Sequence, residues 1–281
     1  MEERRYNEFE KQGIPLEEIN FIRQIDAQAK NRPCKFRINN ETRIFDLSLN
    51  NCGIKKISKK IRMLKDLELI FISEPQLKEL PESIGELRKL RGISITRSSI
   101  VILPDNIAYM PNLQSLSVKD AKLKYFPNQT CAISSLKALK LVNTQIDSLP
   151  SVIGNLKNLT TLNLEDNHLR ELPSSFCELN NLKICSLERN NLESLPECFG
   201  ELLKLRQLYL SDNKLKELPE NFDKLQNIFS LRLRNNLFEE VPEVLDKLRL
   251  TNLDLRDNKI EKYPKTIGAL NLKLKKNGFY D

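Results

Sequence analysis

The stretch Leu159-Thr-Thr-Leu162-Asn-Leu164-Glu-Asp-Asn167-His-Leu169-Arg-Glu-Leu172-Pro173 decides how this chain folds. Leu162 and Leu164 stand two apart, so both point to one face of a short strand, and Asn163 and Glu165 point to the other. Pro173 fixes φ and cannot donate to a ladder, so it starts a short helical or turn segment instead of a second strand. That segment runs through Phe176 and Leu179, and at Leu182 the pattern opens again.

Working outward, the same pattern opens at Ile44, Leu67, Leu90, Leu113, Leu136, Leu205, Ile228 and Leu250 as well. Every step is 23 residues except the last, which is 22. A fixed period of this length marks a repeat architecture. The fourth position of the ten units runs from Leu47 to Leu253 and the sixth from Leu49 to Leu255; neither holds a polar side chain. Cys185, in the fourth column, behaves as a small hydrophobe when buried. One such unit cannot shelter its apolar side chains. Stacked units share a core and pair their strands in parallel, so stability belongs to the array. Nine of the ten units carry the proline, and Ser58 is the exception. The segments that follow are bulkier than strands, so the stack is expected to curve into a horseshoe with the strands inside.

The ninth position reads Asn167, Asn190, Asn213, Asn236, Asn258 and Asn277 in the later units. The chain turns inward there and leaves backbone groups without strand partners. A buried amide can bond several of them and form a ladder along the stack. Cys52, Pro75, Ser98, Ala121 and Thr144 hold this place earlier, so a weaker ladder is expected in the first half.

Residues 1–43 lie outside the repeat. Helices are expected near Glu3–Lys11 and Leu16–Lys30, the second opened by Pro15 and carrying Leu16, Ile19, Ile22 and Ile25 at helical spacing. Cys34–Ile38 alternates and should add a strand beside Ile44–Leu49. The division expected is a helical cap over 1–43 and a solenoid over 44–281, closing on a truncated unit with Leu272, Leu274, Asn277 and Phe279 in phase. Lysines 273, 275 and 276 would keep that edge soluble.

Residues 44–281 resemble the intracellular leucine-rich repeat family of the LxxLxLxxNxLxxLPxxIxxLxxL type. The motif stands here as Leu205-Arg-Gln-Leu-Tyr-Leu-Ser-Asp-Asn-Lys-Leu-Lys-Glu-Leu-Pro-Glu-Asn-Phe-Asp-Lys-Leu. It is similar to the repeats of Scribble, Erbin, the Ras suppressor protein and the plant Ras-group-related repeat proteins. The resemblance implies an α/β fold: a right-handed solenoid with a parallel sheet on the concave face and short helices or 3-10 turns on the convex face. It also implies a scaffold, in some members toward small GTPases or phosphatases.

Composition narrows the function classes. The chain has 281 residues, 30% of them charged, and a net charge of +7. No run approaches the ~20 apolar residues of a membrane span. Met1-Glu-Glu-Arg-Arg is charged and unlike a secretory leader. The six cysteines show neither a CxxC pair nor the clustered caps of extracellular repeat proteins, so a reducing, cytoplasmic setting is expected. The sequons at Asn40, Asn128 and Asn158 are then read as chance. Charge is uneven: residues 44–158 carry +7 and residues 159–249 carry −4. A continuous basic face would suit nucleic acid. The basic half, with Lys55, Lys56, Lys59, Lys60, Arg62 and Lys65, leaves binding of nucleic acid or an anionic surface as the alternative function.

No phosphate-cradling GxxxxGK[ST] or GxGxxG segment and no HExxH segment occurs. His168 is the single histidine, at a variable position, and reads as a surface residue. Pairs such as Glu239-Glu240 read as solvated faces. No enzyme activity, cofactor or metal is therefore expected. The sharper reading lies on the concave face, where outward side chains fall in register from unit to unit. Units seven to ten gather Glu188, Arg189, Tyr209, Asp212, Arg232, Arg234, Asn235, Asp254 and Arg256. Tyrosine and arginine combine apolar area with directional bonds and dominate interface hot spots. The competing reading is an ordinary solvated face of mutual ion pairs. Phe71 with Leu69 makes a second apolar spot. The function expected is a monomeric, non-enzymatic scaffold in intracellular signalling that binds a protein partner on this face.

Overall fold

The computed structural model describes residues 2–30 and 32–261. The expected truncated unit at 272–279, with Asn277 and the lysines at 273, 275 and 276, lies outside the described residues. The chain forms two compact units, Met1–Leu136 and Lys137–Asp281. In the first, helices α1 (Glu2–Lys11) and α2 (Leu16–Asp26) precede β1 (Lys35–Ile38), β2 (Ile44–Asn50), β3 (Leu69–Ser73), β4 (Gly92–Thr96) and β5 (Ser115–Lys119). The second holds β6 (Ala138–Val142), β7 (Thr161–Asn163), β8 (Ile184–Ser186), β9 (Gln207–Tyr209), β10 (Ser230–Arg232) and β11 (Asn252–Asp254). Within each unit the repeat strands pair in parallel, and the fourth-position residues meet one another: Leu47 with Ile70, Ile93 and Leu116, then Leu139 with Leu162, Cys185, Leu208, Leu231 and Leu253. These residues are fully buried, as the period-2 pattern requires.

A short 3-10 segment follows each of β2 to β10. Seven of these segments start directly after a proline whose φ lies between −55° and −70°, the value its ring imposes. Where Ser58 replaces proline, its hydroxyl accepts from the Lys60 N–H at 3.3 Å and starts the segment by side-chain capping. Phe176, Phe199 and Phe222 stack inside successive segments, with ring centroids 6.0 and 6.2 Å apart.

The asparagine ladder forms as the ninth-position pattern requires. Asn190, for example, donates to the carbonyls of Leu164 and Leu187 and accepts from the Leu169 N–H. Asn213 and Asn236 repeat this one rung on. Thr144 joins it, donating its N–H and its hydroxyl to Asn167. The first half holds a substitute that the ninth position did not reveal. Glu74, fully buried at the eighth position of its unit, accepts from the N–H groups of Cys52, Gly53 and Ile54 at 2.6, 2.9 and 3.2 Å. In every other unit the eighth residue, from Asn51 to Asp257, has φ between +48° and +59° and turns its side chain away from the core.

The cap departs from expectation at its ends. α2 stops at Asp26, not Lys30. The Asp26 carboxylate accepts from Arg5 (2.5 Å), the Tyr6 hydroxyl (3.0 Å) and the Cys34 N–H (2.9 Å). That clasp turns the chain toward β1 and delays the strand to Lys35. β1 then runs antiparallel to β2 and covers the first repeat strand. Glu18, buried in α2, meets Arg43 at 2.7 Å and accepts from the Ile44 N–H, fastening the cap to the start of β2. Among the described residues, no helix is long and apolar enough to cross a membrane.

Candidate binding surface on the sheet face

In the second unit, the outward residues of the third, fifth and seventh positions line up across strands. Asn163, Ser186, Tyr209, Arg232 and Asp254 are direct register partners on β7 to β11. Glu188 and Arg234 lie two residues beyond β8 and β10 on the same face. A polar cavity of about 370 Å³ opens here, lined by Glu188, Ser211, Asp212, Arg232, Arg234, Asn252, Asp254 and Arg256.

Most of its charges are already satisfied by neighbours. Arg189 grips Asp166 with two bonds (2.5 and 2.9 Å) and reaches Glu165 at 3.2 Å. The Arg189 backbone is left-handed, at φ 55°, as at the eighth residue of the neighbouring units. Arg234 bonds Asp257 at 2.6 Å. Arg256 holds Asp254 through two nitrogens, and this keeps the Asp254 carboxyl below its ordinary range. Asn235 donates to Asp212 at 2.7 Å.

Arg232 and Glu188 behave differently. The Arg232 side chain is exposed and, among the described residues, has no ion pair within 4.0 Å; its guanidinium lies over the Tyr209 ring, 4.6 Å from the centroid. Stacking on an aromatic face attracts the cation and leaves the donor fork open. The Tyr209 hydroxyl is held by Gln207 at 3.0 Å, which fixes the ring. Glu188 is half-buried. Burial raises its proton affinity, and the Ser211 hydroxyl and the charge of Arg232 draw it back down.

Comparison with known proteins agrees with the repeat pattern and the fold. A leucine-rich repeat region model matches residues 121–199, and a second leucine-rich repeat model matches residues 204–225. The chain is a leucine-rich repeat protein. Among solved structures it is similar to a leucine-rich repeat protein of Leptospira interrogans (28% identity, TM-score 0.51), covering 75% of this chain and 66% of that one. It is also similar to the plant peptide hormone receptor RGFR1 in complex with RGF2 (28% identity, TM-score 0.63), covering 73% of this chain and 34% of the receptor. A plant ice-binding protein shares the fold at 22% identity and TM-score 0.64, covering 85% and 80% of the two chains. The leucine-rich repeat chain thus spans just under two thirds of the bacterial protein's length and about one third of the receptor's. No curated protein matches it by sequence.

The structure of this leucine-rich repeat protein brings all nine residues singled out in the sequence to one side of the second unit, but in different states. Arg189, Asp212, Arg234, Asn235, Asp254 and Arg256 are engaged in the local pairs described above, whereas Glu188, Tyr209 and Arg232 form the part still open. Column reading did not select Gln207, Ser211 and Asn252, which position or line the site. Ser211 was visible in the seventh column; the other two are in the third, where no charge drew attention. Phe71 is exposed on β3 of the first unit, with Leu69 half-buried beside it. The lysines at 55, 56, 59, 60 and 65 are exposed around the first 3-10 segment, off the strands, and Arg62 pairs with Glu86. His168 is exposed. Among the described residues no cluster of His, Cys, Asp or Glu is arranged to hold a metal.

One cysteine pair was not foreseen in the sequence. Cys177 and Cys198 are joined by a disulfide, while Cys34, Cys52, Cys131 and Cys185 are free and buried. The reason is geometric. The nineteenth residue of one unit abuts the seventeenth of the next: a Cβ on Gly154 would lie 2.3 Å from the Ser175 carbonyl oxygen, and one on Gly200 would lie 1.9 Å from that of Asn221. Cys177 and Cys198 occupy this pair of places, with Cα atoms 5.8 Å apart. Their 21-residue separation, two short of the period, was the available signal.

Proposed function

We infer that this leucine-rich repeat protein captures a protein or peptide partner on the sheet face of its second unit, at β8 to β11, and acts by binding and not by catalysis. The observation that carries this reading is Arg232, exposed and stacked on a fixed tyrosine with no ion pair within 4.0 Å among the described residues, at the rim of a polar cavity. On the same face Arg189, Arg234 and Arg256 are each paired with a neighbouring carboxylate, so the open donors of Arg232 set it apart from them. Similarity to a receptor solved with a peptide hormone supports a peptide-binding use of the fold. Function still resides in the particular surface and not in the fold.

A role in intracellular signalling, as a monomeric scaffold toward a small GTPase or phosphatase, rests on the repeat type alone. The disulfide argues against a reducing compartment, and a thiol count on protein isolated from its native cell decides the location. Replacing Tyr209, Arg232 and Arg234 together by alanine should abolish partner capture from native lysate, with unfolding shifted by less than about 1 kcal/mol, as for surface changes. Undiminished capture places the site elsewhere.

A further inference from the structure

The face of the second unit is polarised across its strands. Around β7 and β8 stand Glu165, Asp166 and Glu188 against Arg189 alone. Around β10 and β11 stand Arg232, Arg234 and Arg256 against Asp254 and Asp257. Within this gradient, one charge at each end lacks an ion pair within 4.0 Å among the described residues: Glu188 at the acidic end and Arg232 at the basic end. Tyr209, on the strand between, supports the arginine.

We propose that this site reads an extended partner segment carrying one basic and one acidic side chain four residues apart, the basic one docking on Glu188 and the acidic one on Arg232 over Tyr209. This rests on the sheet face being the binding surface. The spacing follows from geometry. Glu188 and Arg232 belong to strands two apart, each about 4.8 Å from the next, and Glu188 stands two positions further along, so roughly 12 Å separates their backbone positions. An extended chain advances about 3.3 Å per residue and turns alternate side chains to opposite faces, so residues four apart cover the span and share one face. A carboxylate suits Arg232 because the planar guanidinium offers paired donors to its two oxygens. An ammonium or guanidinium suits Glu188 because the carboxylate is half-buried and, among the described residues, has no ion pair within 4.0 Å. The pairs on either side, Arg189 with Asp166 and Arg256 with Asp254, are closed. They frame the two open charges and reject a segment whose charges fall in other places.

The test uses the full chain and a dansylated probe, Gly-Lys-Ala-Ala-Ala-Glu-Gly with an amidated end, followed by fluorescence anisotropy. Companion probes replace Lys by Gln, Glu by Gln, or Glu by Lys. Wild-type protein should bind the Lys/Glu probe at least about tenfold more tightly than any companion. Arg232→Glu, at an exposed position, should reverse the preference toward the Lys/Lys probe. Lys60→Glu changes the net charge equally on the first unit and should leave the preference unaltered. Equal affinity for all four probes would overturn the charge reading, yet it would leave the binding surface standing if the triple alanine variant still loses its partner. Absence of binding by every probe overturns the proposal as well. If the triple variant also captures its partner undiminished, the surface assignment falls with it.

Discussion

Glu188 and Arg232 show how single side chains acquire their roles here. Burial favours the neutral form of Glu188, and Arg232 favours its anion. A carboxyl whose folded pKa is raised binds its proton more tightly than the unfolded chain does. The stabilising contribution is therefore full below the ordinary glutamate value and is lost as pH rises through the raised one. Arg232→Ala removes the opposing cation, so the Glu188 titration, followed by carbon NMR of its carboxyl, should move further up. A downward or absent movement would show that the two charges do not feel each other. Glu74 makes the complementary point. It is a fully buried carboxylate on three N–H groups, one residue away from the position where an amide was sought.

At the scale of elements, the 3-10 segments matter beyond filling the side opposite the strands. Their close approach brings Cys177 and Cys198 together, and the cross-link closes a loop of 21 residues in sequence separation. Constraining a loop of that size in the unfolded chain contributes on the order of 3 kcal/mol. The double variant Cys177→Ser, Cys198→Ser should lose up to about that amount in urea unfolding, and reductant should bring wild-type protein to the same midpoint. A midpoint insensitive to reductant would mean that the bridge adds nothing. The cap helices depend on such cross-element fastenings too, since Asp26 and Glu18 tie α1, α2, β1 and β2 by bonds to their carboxylates.

For the whole molecule, the uneven ladder sets where the array opens. Turns from Asn167 to Asn236 each have a buried amide, Asn258 adds a half-buried one, and the turn at Cys52 has Glu74. The turn at Ser98 has a hydroxyl accepting at 3.5 Å and the Ser99 hydroxyl donating to the Pro75 carbonyl, with no buried amide or carboxylate, and Ala121 itself offers no side-chain bond. Repeat arrays respond to such local differences because each unit leans only on its neighbours. Amides of residues 97–100 and 120–123 should therefore exchange about tenfold or more faster than those of 189–192 and 212–215, while 52–54 should match the slower group. Equal protection throughout would mean that strand pairing alone decides opening. Glu74→Ala should release 52–54 without moving 189–192.

How much could be read in advance depends on the kind of interaction. Period and column identity follow from the chain, because a strand face and a proline-started segment are local consequences of side-chain alternation and ring geometry. Repeats, core columns, the later ladder and the row Ser186, Tyr209, Arg232, Asp254 were legible on those grounds. Which charges in that row would be consumed was not, because pairing depends on where a neighbour's left-handed turn aims its side chain, as with Arg189 toward Asp166. The disulfide, the Glu74 substitute and the end of α2 at Asp26 were hidden for the same reason. Each arises from contacts between residues far apart in sequence whose meeting is set by packing. The leucine-rich repeat itself was determined by sequence. Which pair of charges stays open on its face, Glu188 and Arg232, was decided only when the tertiary structure satisfied the rest.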